Sequence, residues 1–182
     1  MIKVVIIGPE STGKSTLTTA LAHHYETQWV PEFAREFLQL NGMNYNFNDL
    51  LSIARGQIEK EEAITGKLQK NLVFIDTNMY VMKVWCEFVF HKCHNWINQQ
   101  LENRHYDLYL LCNTDLPWVQ DDLREYPDLE TREQLYNMYQ QLMINQDTPW
   151  VDIRGSFEQR LATAVKAVDK LLVEKKLDLS SC

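Results

Sequence analysis

No apolar run in this chain approaches the roughly 18 residues that a membrane-spanning helix requires, so no span and no membrane partner are expected. No basic run or stripe gathers its 18 lysines and arginines, and the formal net charge is −7. An acidic chain without a basic face is poorly suited to nucleic acid. No C-x-x-C pairing occurs among Cys86, Cys93, Cys112 and Cys182. In a chain of this size they read as reduced thiols, and a cytoplasmic location is expected. The segment His91-Lys92-Cys93-His94 fits no standard zinc spacing and has no second Cys/His pair after it, so no metal centre is expected there. Internal repeats, linkers and low-complexity stretches are absent. The N-terminus enters an apolar run directly, so no leader peptide is expected. What is present is 182 residues, 45% of them hydrophobic. That suits one globular domain over residues 1–182 with a sizeable core.

Short β-type runs alternate with longer helical stretches. The runs are Ile2–Ile7, Gln28–Val30, Leu72–Ile75, Asp107–Cys112 and Trp150–Ile153. Those around Ile6, Phe74 and Leu110 are continuously apolar, as strands covered on both faces should be. Helices are expected at about Lys14–Tyr25, Glu32–Asn41, Asn48–Lys70, Asn78–Asn103, Leu129–Asn145 and Ser156–Val173, with Glu174–Cys182 as a fraying tail. The alternation predicts an α/β fold, a five-stranded parallel sheet with helices on both faces and right-handed crossovers. In such a sheet, ligands bind beyond the carboxyl ends of the strands. Gly8–Ser15, Pro31–Glu36, Asp76–Tyr80, Asn113–Arg124 and Arg154–Gly155 therefore face the site.

The most informative of these segments is Gly8-Pro9-Glu10-Ser11-Thr12-Gly13-Lys14-Ser15-Thr16. It reads G-x-x-x-x-G-K-S between an apolar strand and an amphipathic helix, which is a P-loop in its proper context. The two glycines let the backbone curl so that N–H groups converge into an anion nest, and the following helix adds its positive end. Lys14 reaches the β- and γ-phosphates of ATP and the Ser15 hydroxyl ligates Mg²⁺. The remaining loop residues Glu10, Ser11, Thr12 and Thr16 complete the nucleotide-binding set.

P-loop proteins divide by the motifs at their later strand ends. A GTPase needs D-x-x-G and N-K-x-D; here the third strand ends in Asp76-Thr77-Asn78-Met79 and the fourth in Asn113-Thr114-Asp115. A ring-forming ATPase usually carries a longer module with a helical subdomain. A small-molecule kinase fits better, and each of its parts has a candidate. Glu32, near the start of the second helix, would accept a proton or a substrate hydroxyl; the alternative is compensation of the helix dipole. Arg35 lies one turn later on the same face. Asp76 ends an apolar strand beside the P-loop and would hold Mg²⁺ or orient the attacking hydroxyl; the alternative is a helix N-cap. The segment of about 113–132 is rich in turn residues and reads as a lid, with Arg124, and also Arg132, available to the transferring phosphoryl group. Trp118, an apolar ring among polar neighbours, argues that this lid folds over something. Trp29, Phe33, Trp85, Phe88 and Phe90 flank the acceptor pocket, where a ring could stack on a flat cationic or neutral group; core packing explains Trp85 and Phe88 equally well.

With these residues in place, the chain resembles the kinase domain of the NadR-type ribosylnicotinamide kinases of NAD salvage. The resemblance rests on the P-loop, on Glu32 with Arg35-Glu36-Phe37, on Gly56-Gln57, on Phe74-Ile75-Asp76-Thr77, on His94 and Tyr106-Asp107-Leu108, and on Pro117-Trp118-Val119 through Leu123-Arg124. It implies a nucleoside/nucleotide-kinase-like P-loop NTPase fold. It also implies transfer of the ATP γ-phosphoryl to the 5′-hydroxyl of nicotinamide riboside. On this reading the catalytic set is Lys14, Asp76, Glu32 and Arg124. The acceptor is held by Glu32, Arg35, Asp76, Asn78, Trp118 and Asp121, and the metal by Ser15 and Asp76. The chain departs from the family pattern at Asn78 (often an acid), at Asp122 (often a glycine) and at Pro31 (often an aromatic). Bifunctional relatives carry an adenylyltransferase domain before the kinase. Because this chain opens on the first kinase strand, that activity is not expected. A P-loop ATPase acting on a protein partner, a nucleotide-sensing module and a homo-oligomer remain compatible with the sequence.

Overall fold

The structure, a computed structural model, describes residues 1–180. Strands β1 (Ile2–Ile7), β2 (Trp29–Val30), β3 (Leu72–Asp76), β4 (Leu108–Cys112) and β5 (Trp150–Ile153) form one sheet in the order β2-β3-β1-β4-β5, and every pairing is parallel. Helices α1 (Lys14–His24), α2 (Phe33–Asn41), α3 (Phe47–Thr65), α4 (Met79–Phe90), α5 (Asn95–Asn103), α6 (Leu129–Ile144) and α7 (Phe157–Ser180) connect and cover it. The continuous apolar runs follow from that coverage. Val4 and Ile6 face α1 and α7 in one core with Leu17, Leu21, Phe74, Ala164 and Val168. Val5 and Ile7 face the opposite core with Val84, Leu135, Tyr139 and Met143. A third cluster joins α2, α3, α4 and α5 through Ala34, Leu50, Ile53, Met82 and Ile97. No described helix is long and apolar enough to cross a membrane.

Three helical expectations are corrected. The stretch Asn78–Asn103 is two helices, because His91 turns left-handed (φ 53, ψ 24) and ends α4, while His94 becomes the N-cap residue of α5. A tertiary contact holds this break. The His94 ring stacks on Phe47 at 3.7 Å, and the Lys92 ammonium lies 4.3 Å from the same ring. The α3 helix stops at Thr65, not Lys70: Gly66 sits at its C-cap, where its N–H donates to the Glu62 carbonyl. The start of α3 is more strongly marked, with Asn46 and Asp49 forming a reciprocal capping box. The tail from Glu174 to Ser180 is helical rather than frayed. It contains no glycine or proline, and Lys175 Nζ is anchored on Asp107 Oδ1 at 2.7 Å. The rest of that tail, including Cys182, lies outside the described residues.

Strand register positions the site. Ile6 pairs with Asp76 and Ile7 with Leu111. The carboxyl ends of β3, β1 and β4 therefore lie side by side, with the loop after β1 between the other two. The connection from β1 leaves towards β2 and that from β4 leaves towards β5 at the opposite edge, so the loops after these two neighbouring strands diverge. That is the switch point at which open α/β sheets bind ligands.

Candidate active site

The loop between β1 and α1 is shaped by residues with positive φ: Gly8 at 136, Ser11 at 55 and Gly13 at 77. A side chain at Gly8 is excluded by contact as well as by conformation. A Cβ there would lie 2.6 Å from the Cys112 carbonyl oxygen, so the loop presses directly on the end of β4. Inside the loop, the Thr12 hydroxyl donates to the Pro9 carbonyl at 2.7 Å, and Lys14 Nζ donates to the same oxygen at 2.7 Å. Thr12 is buried, so its side chain braces the loop from within, whereas Ser15 and Thr16 are exposed at the mouth.

Asp76 stands at the base of this loop and is only 3% exposed. Its Oδ1 is buried and has no hydrogen-bond partner among the described residues. Burial, and then the negative charge of Glu32, push its carboxyl up to about 7, while Lys14, the Ser15 hydroxyl and Arg35 pull it down. An orphaned carboxylate oxygen beside a serine hydroxyl is a hard-oxygen donor set suited to Mg²⁺. The residues present therefore fit the metal that the P-loop implies.

The turn after Asp76 is strained: Thr77, a β-branched residue, has φ 69. Thr77 N donates to the Ile6 carbonyl at 3.1 Å. Gln57 supplies the rest of the clamp. Its Nε2 lies 3.4 Å from the Asp76 carbonyl and 3.3 Å from the Thr77 carbonyl, and its Oε1 accepts from Phe33 N at 2.7 Å. One buried amide thus ties the strand end bearing Asp76 to the helix start bearing Glu32. The neighbouring Gly56 has no room for a side chain, since a Cβ would meet the Phe33 ring at 2.1 Å. In the sequence, Gln57 stands out only through the family resemblance. The signal that could have found its role is an uncharged polar residue on the apolar face of a long helix. Gln57→Leu should leave an amide and two carbonyls without their partner. We expect a loss of about 1–3 kcal/mol of stability together with reduced turnover, measured by thermal melting and steady-state kinetics. Full activity in a destabilised protein would confine Gln57 to packing.

The other expected residues divide. Glu32 is the N-cap residue of α2, but its side chain makes no capping bond; it lines the cavity beside the P-loop. Arg35 also lines the cavity and pairs with Asp121 of the lid at 2.9 Å, which holds the Asp121 carboxyl below its usual range. Asn78 does not line the cavity. It caps α4 by accepting from Tyr80 N at 3.0 Å, and its Nδ2 donates to the Tyr109 hydroxyl at 3.2 Å. Trp118 likewise lies outside the lining and donates its indole N–H to Glu10 at 3.1 Å. Glu10 therefore spends its carboxylate on the lid rather than on the mouth of the loop. The lid is docked, not open: Arg124 Nη1 lies 3.2 Å from Ser11 Oγ and also donates to the Val119 carbonyl. Arg132 is buried under that lid, 3.1 Å from the Leu116 carbonyl, and is not placed to swing.

Arg160 and two of the cavity's aromatic residues went unseen in the sequence. Arg160, only 3% exposed, donates to the carbonyls of Thr12 at 3.0 Å, Gly155 at 2.9 Å and Asn113 at 3.1 Å, and pairs with Asp115. It locks the P-loop to the loops after β4 and β5. The aromatic wall of the cavity was expected in part. Trp85 and Phe88 line the cavity, joined by Tyr126 and Tyr139, whereas Phe33 and Phe90 pack in the neighbouring core and Trp29 packs on the α1 side. The cavity holds about 210 Å³ and runs from the P-loop to this wall.

Comparison with known proteins agrees with this architecture. The trifunctional NAD biosynthesis/regulator protein NadR of Salmonella typhimurium is 25% identical over 177 residues, which is 94% of this chain and 43% of the relative. The chain thus spans less than half the length of that curated relative. Among solved structures, NadR protein in complex with NR superposes with a TM-score of 0.77 at 19% identity, over 93% of this chain and 50% of the other. Thymidylate kinase from Ehrlichia chaffeensis superposes with a TM-score of 0.64 at 12% identity, over 92% of this chain and 98% of the other. The fold is that of the P-loop nucleoside and nucleotide kinases. The profile of the AAA domain family matches residues 3–160, and the chain belongs to that family.

Proposed function

We propose that the protein is an ATP-dependent kinase that transfers the γ-phosphoryl group to the 5′-hydroxyl of nicotinamide riboside, giving nicotinamide mononucleotide. The observation that carries this reading is the composition of the cavity beyond the P-loop. That end offers Glu32 and Glu125, the aromatic wall of Trp85, Phe88, Tyr126 and Tyr139, and Arg35, whose charge is already paired with Asp121. A nucleotide acceptor would bring a phosphate needing free cations. A nucleoside does not, and a flat pyridinium ring suits aromatic faces beside carboxylates. The similarity to NadR, one structure of which is described as a complex with NR, supports the same choice.

In this reading the P-loop amides and Lys14 bind the triphosphate. Ser15 and Asp76 would hold Mg²⁺, which when bound would neutralise charge on the triphosphate. Asp76, at the end of β3, or Glu32, which lines the cavity, takes the proton of the attacking hydroxyl; the raised carboxyl of Asp76 suits a base working near neutrality. Arg124 faces the transferring group from the lid, and Arg35 and Asp121 close the acceptor side. A soluble cytoplasmic enzyme without a nucleic acid or membrane partner fits the acidic composition.

With ATP and Mg²⁺, nicotinamide riboside should gain one phosphoryl group, read by mass spectrometry, while thymidylate should not react. Product from uridine alone would sink the acceptor assignment and spare the kinase class. Hydrolysis of ATP indifferent to every nucleoside would favour an ATPase acting on a protein.

A further inference from the structure

Glu10 lies in the middle of the phosphate loop, yet its carboxylate is committed to the lid. One oxygen accepts from the Trp118 indole at 3.1 Å and from Tyr126 N at 2.7 Å, and the other accepts from Glu125 N at 2.9 Å. The adjacent Ser11 Oγ accepts from Val119 N at 3.0 Å and lies 3.2 Å from Arg124 Nη1. These contacts span more than 100 residues of sequence, with separations from 108 to 116. On the opposite bank the Glu125 carboxylate accepts from the Tyr45 hydroxyl at 2.9 Å, and that hydroxyl accepts from Trp85 Nε1 at 2.9 Å. The Tyr45 and Trp85 rings meet edge to face at 5.0 Å. Trp85 belongs to the wall of the cavity.

We infer that Glu10 and Tyr45 are positioning residues for phosphoryl transfer, acting as the two ends of a latch on lid residues 118–126. Glu10 fixes the lid to the phosphate loop, which sets the direction of Arg124. Tyr45 fixes it to the acceptor wall. Glu125 joins the two ends, because its backbone amide serves Glu10 and its carboxylate serves Tyr45. A lid held this way closes on the triphosphate and the acceptor as one body. An acceptor that displaces Trp85 is felt at the phosphate loop through three polar groups in series. The bonds to Glu10 and Glu125 are charge-assisted, and such bonds are roughly twice as strong as neutral ones. Both carboxylate oxygens of Glu10 and the Tyr45 hydroxyl are committed to these lid and wall contacts. Their effect is to hold Arg124 at the geometry that transfer requires, where small misplacements are costly.

This inference rests on the kinase reading above, so its test has one arm that needs no substrate. Amide hydrogen exchange of the 117–127 peptide reports lid docking directly. In Glu10→Ala the lid amides should exchange about tenfold faster or more, since three acceptor contacts vanish. Glu10→Gln keeps one acceptor oxygen and should fall between Glu10→Ala and the native protein. Tyr45→Phe should also raise lid exchange while the P-loop peptide stays protected. With nicotinamide riboside as acceptor, Glu10→Ala should lower kcat about tenfold or more with little change in KM for ATP. Tyr45→Phe should chiefly raise KM for the acceptor.

Unchanged lid exchange in Glu10→Ala would overturn the Glu10 half, and unchanged exchange in Tyr45→Phe the Tyr45 half. Faster exchange with kcat intact and KM for ATP raised would make Glu10 a ground-state nucleotide contact, and would also overturn the proposal. If the native protein forms no product from nicotinamide riboside, the acceptor reading fails. The exchange results alone then decide the latch.

Discussion

Asp76→Asn should lower kcat by about 10²-fold or more and, at the same time, make the metal-free protein more stable at pH 8. The first effect follows from position. Asp76 is paired in register with Ile6 at the floor of the P-loop, and its Oδ1 is a buried acceptor with no partner among the described residues. Asparagine keeps the shape but removes a charge that can hold a metal or take a proton. The second effect follows from linkage. The folded carboxyl is raised to about 7, above its ordinary value of 3.8. The native state therefore keeps a proton that the unfolded chain has released, and the associated stability is lost as pH rises from about 4 through 7. Above that range the ionised carboxylate costs the fold a few kcal/mol, which asparagine does not. Melting in the presence of a chelator should show the variant above the native protein at pH 8, with the gap closing near pH 4. Normal turnover in Asp76→Asn would transfer the base role to Glu32. Equal melting at both pH values would mean that the carboxyl is not perturbed in the fold.

Lys14→Ala should leave the fold intact and reduce kcat/KM for ATP by roughly 10²–10³-fold. Lys14 Nζ donates to the Pro9 carbonyl at 2.7 Å, a bond within the loop, and Gly13 already supplies the turn into α1. Stability should change by less than about 1 kcal/mol. The activity loss is larger because a full positive charge aimed at the phosphates acts in a partly enclosed site, where it is not replaced by water. Circular dichroism and melting check the fold, and steady-state kinetics check the rate. Turnover equal to the native protein would show that the loop does not take part in transfer.

The parts legible from sequence share a property. The P-loop is a contiguous motif whose glycine spacing, flanking strand and following helix are local facts, so it is legible without its distant partners. The buried strands announce themselves as apolar runs because both of their faces are covered. The strand-end position of Asp76 follows from the same pattern. The helix break at 91–94 was invisible, since nothing local distinguishes a histidine that turns left-handed from one that continues a helix. Packing of Lys92 and His94 on Phe47, an aromatic more than forty residues away, determines it.

Glu10, Asn78 and Gln57 show the same limit at the site. A glutamate in a phosphate loop can face the ligand or the lid, and an asparagine after a strand can bind substrate or cap a helix. Each choice satisfies the side chain equally well in the abstract. The chain by itself determined a P-loop on a parallel α/β sheet, with an acid at the third strand end and a lid after the fourth. Only the tertiary structure decided that Glu10 holds the lid, that Asn78 caps α4, and that Gln57 binds the turn after Asp76 to the start of α2. The reason is that a polar side chain goes where its hydrogen bonds can be completed, and here the completing groups come from segments that only the folded sheet brings together.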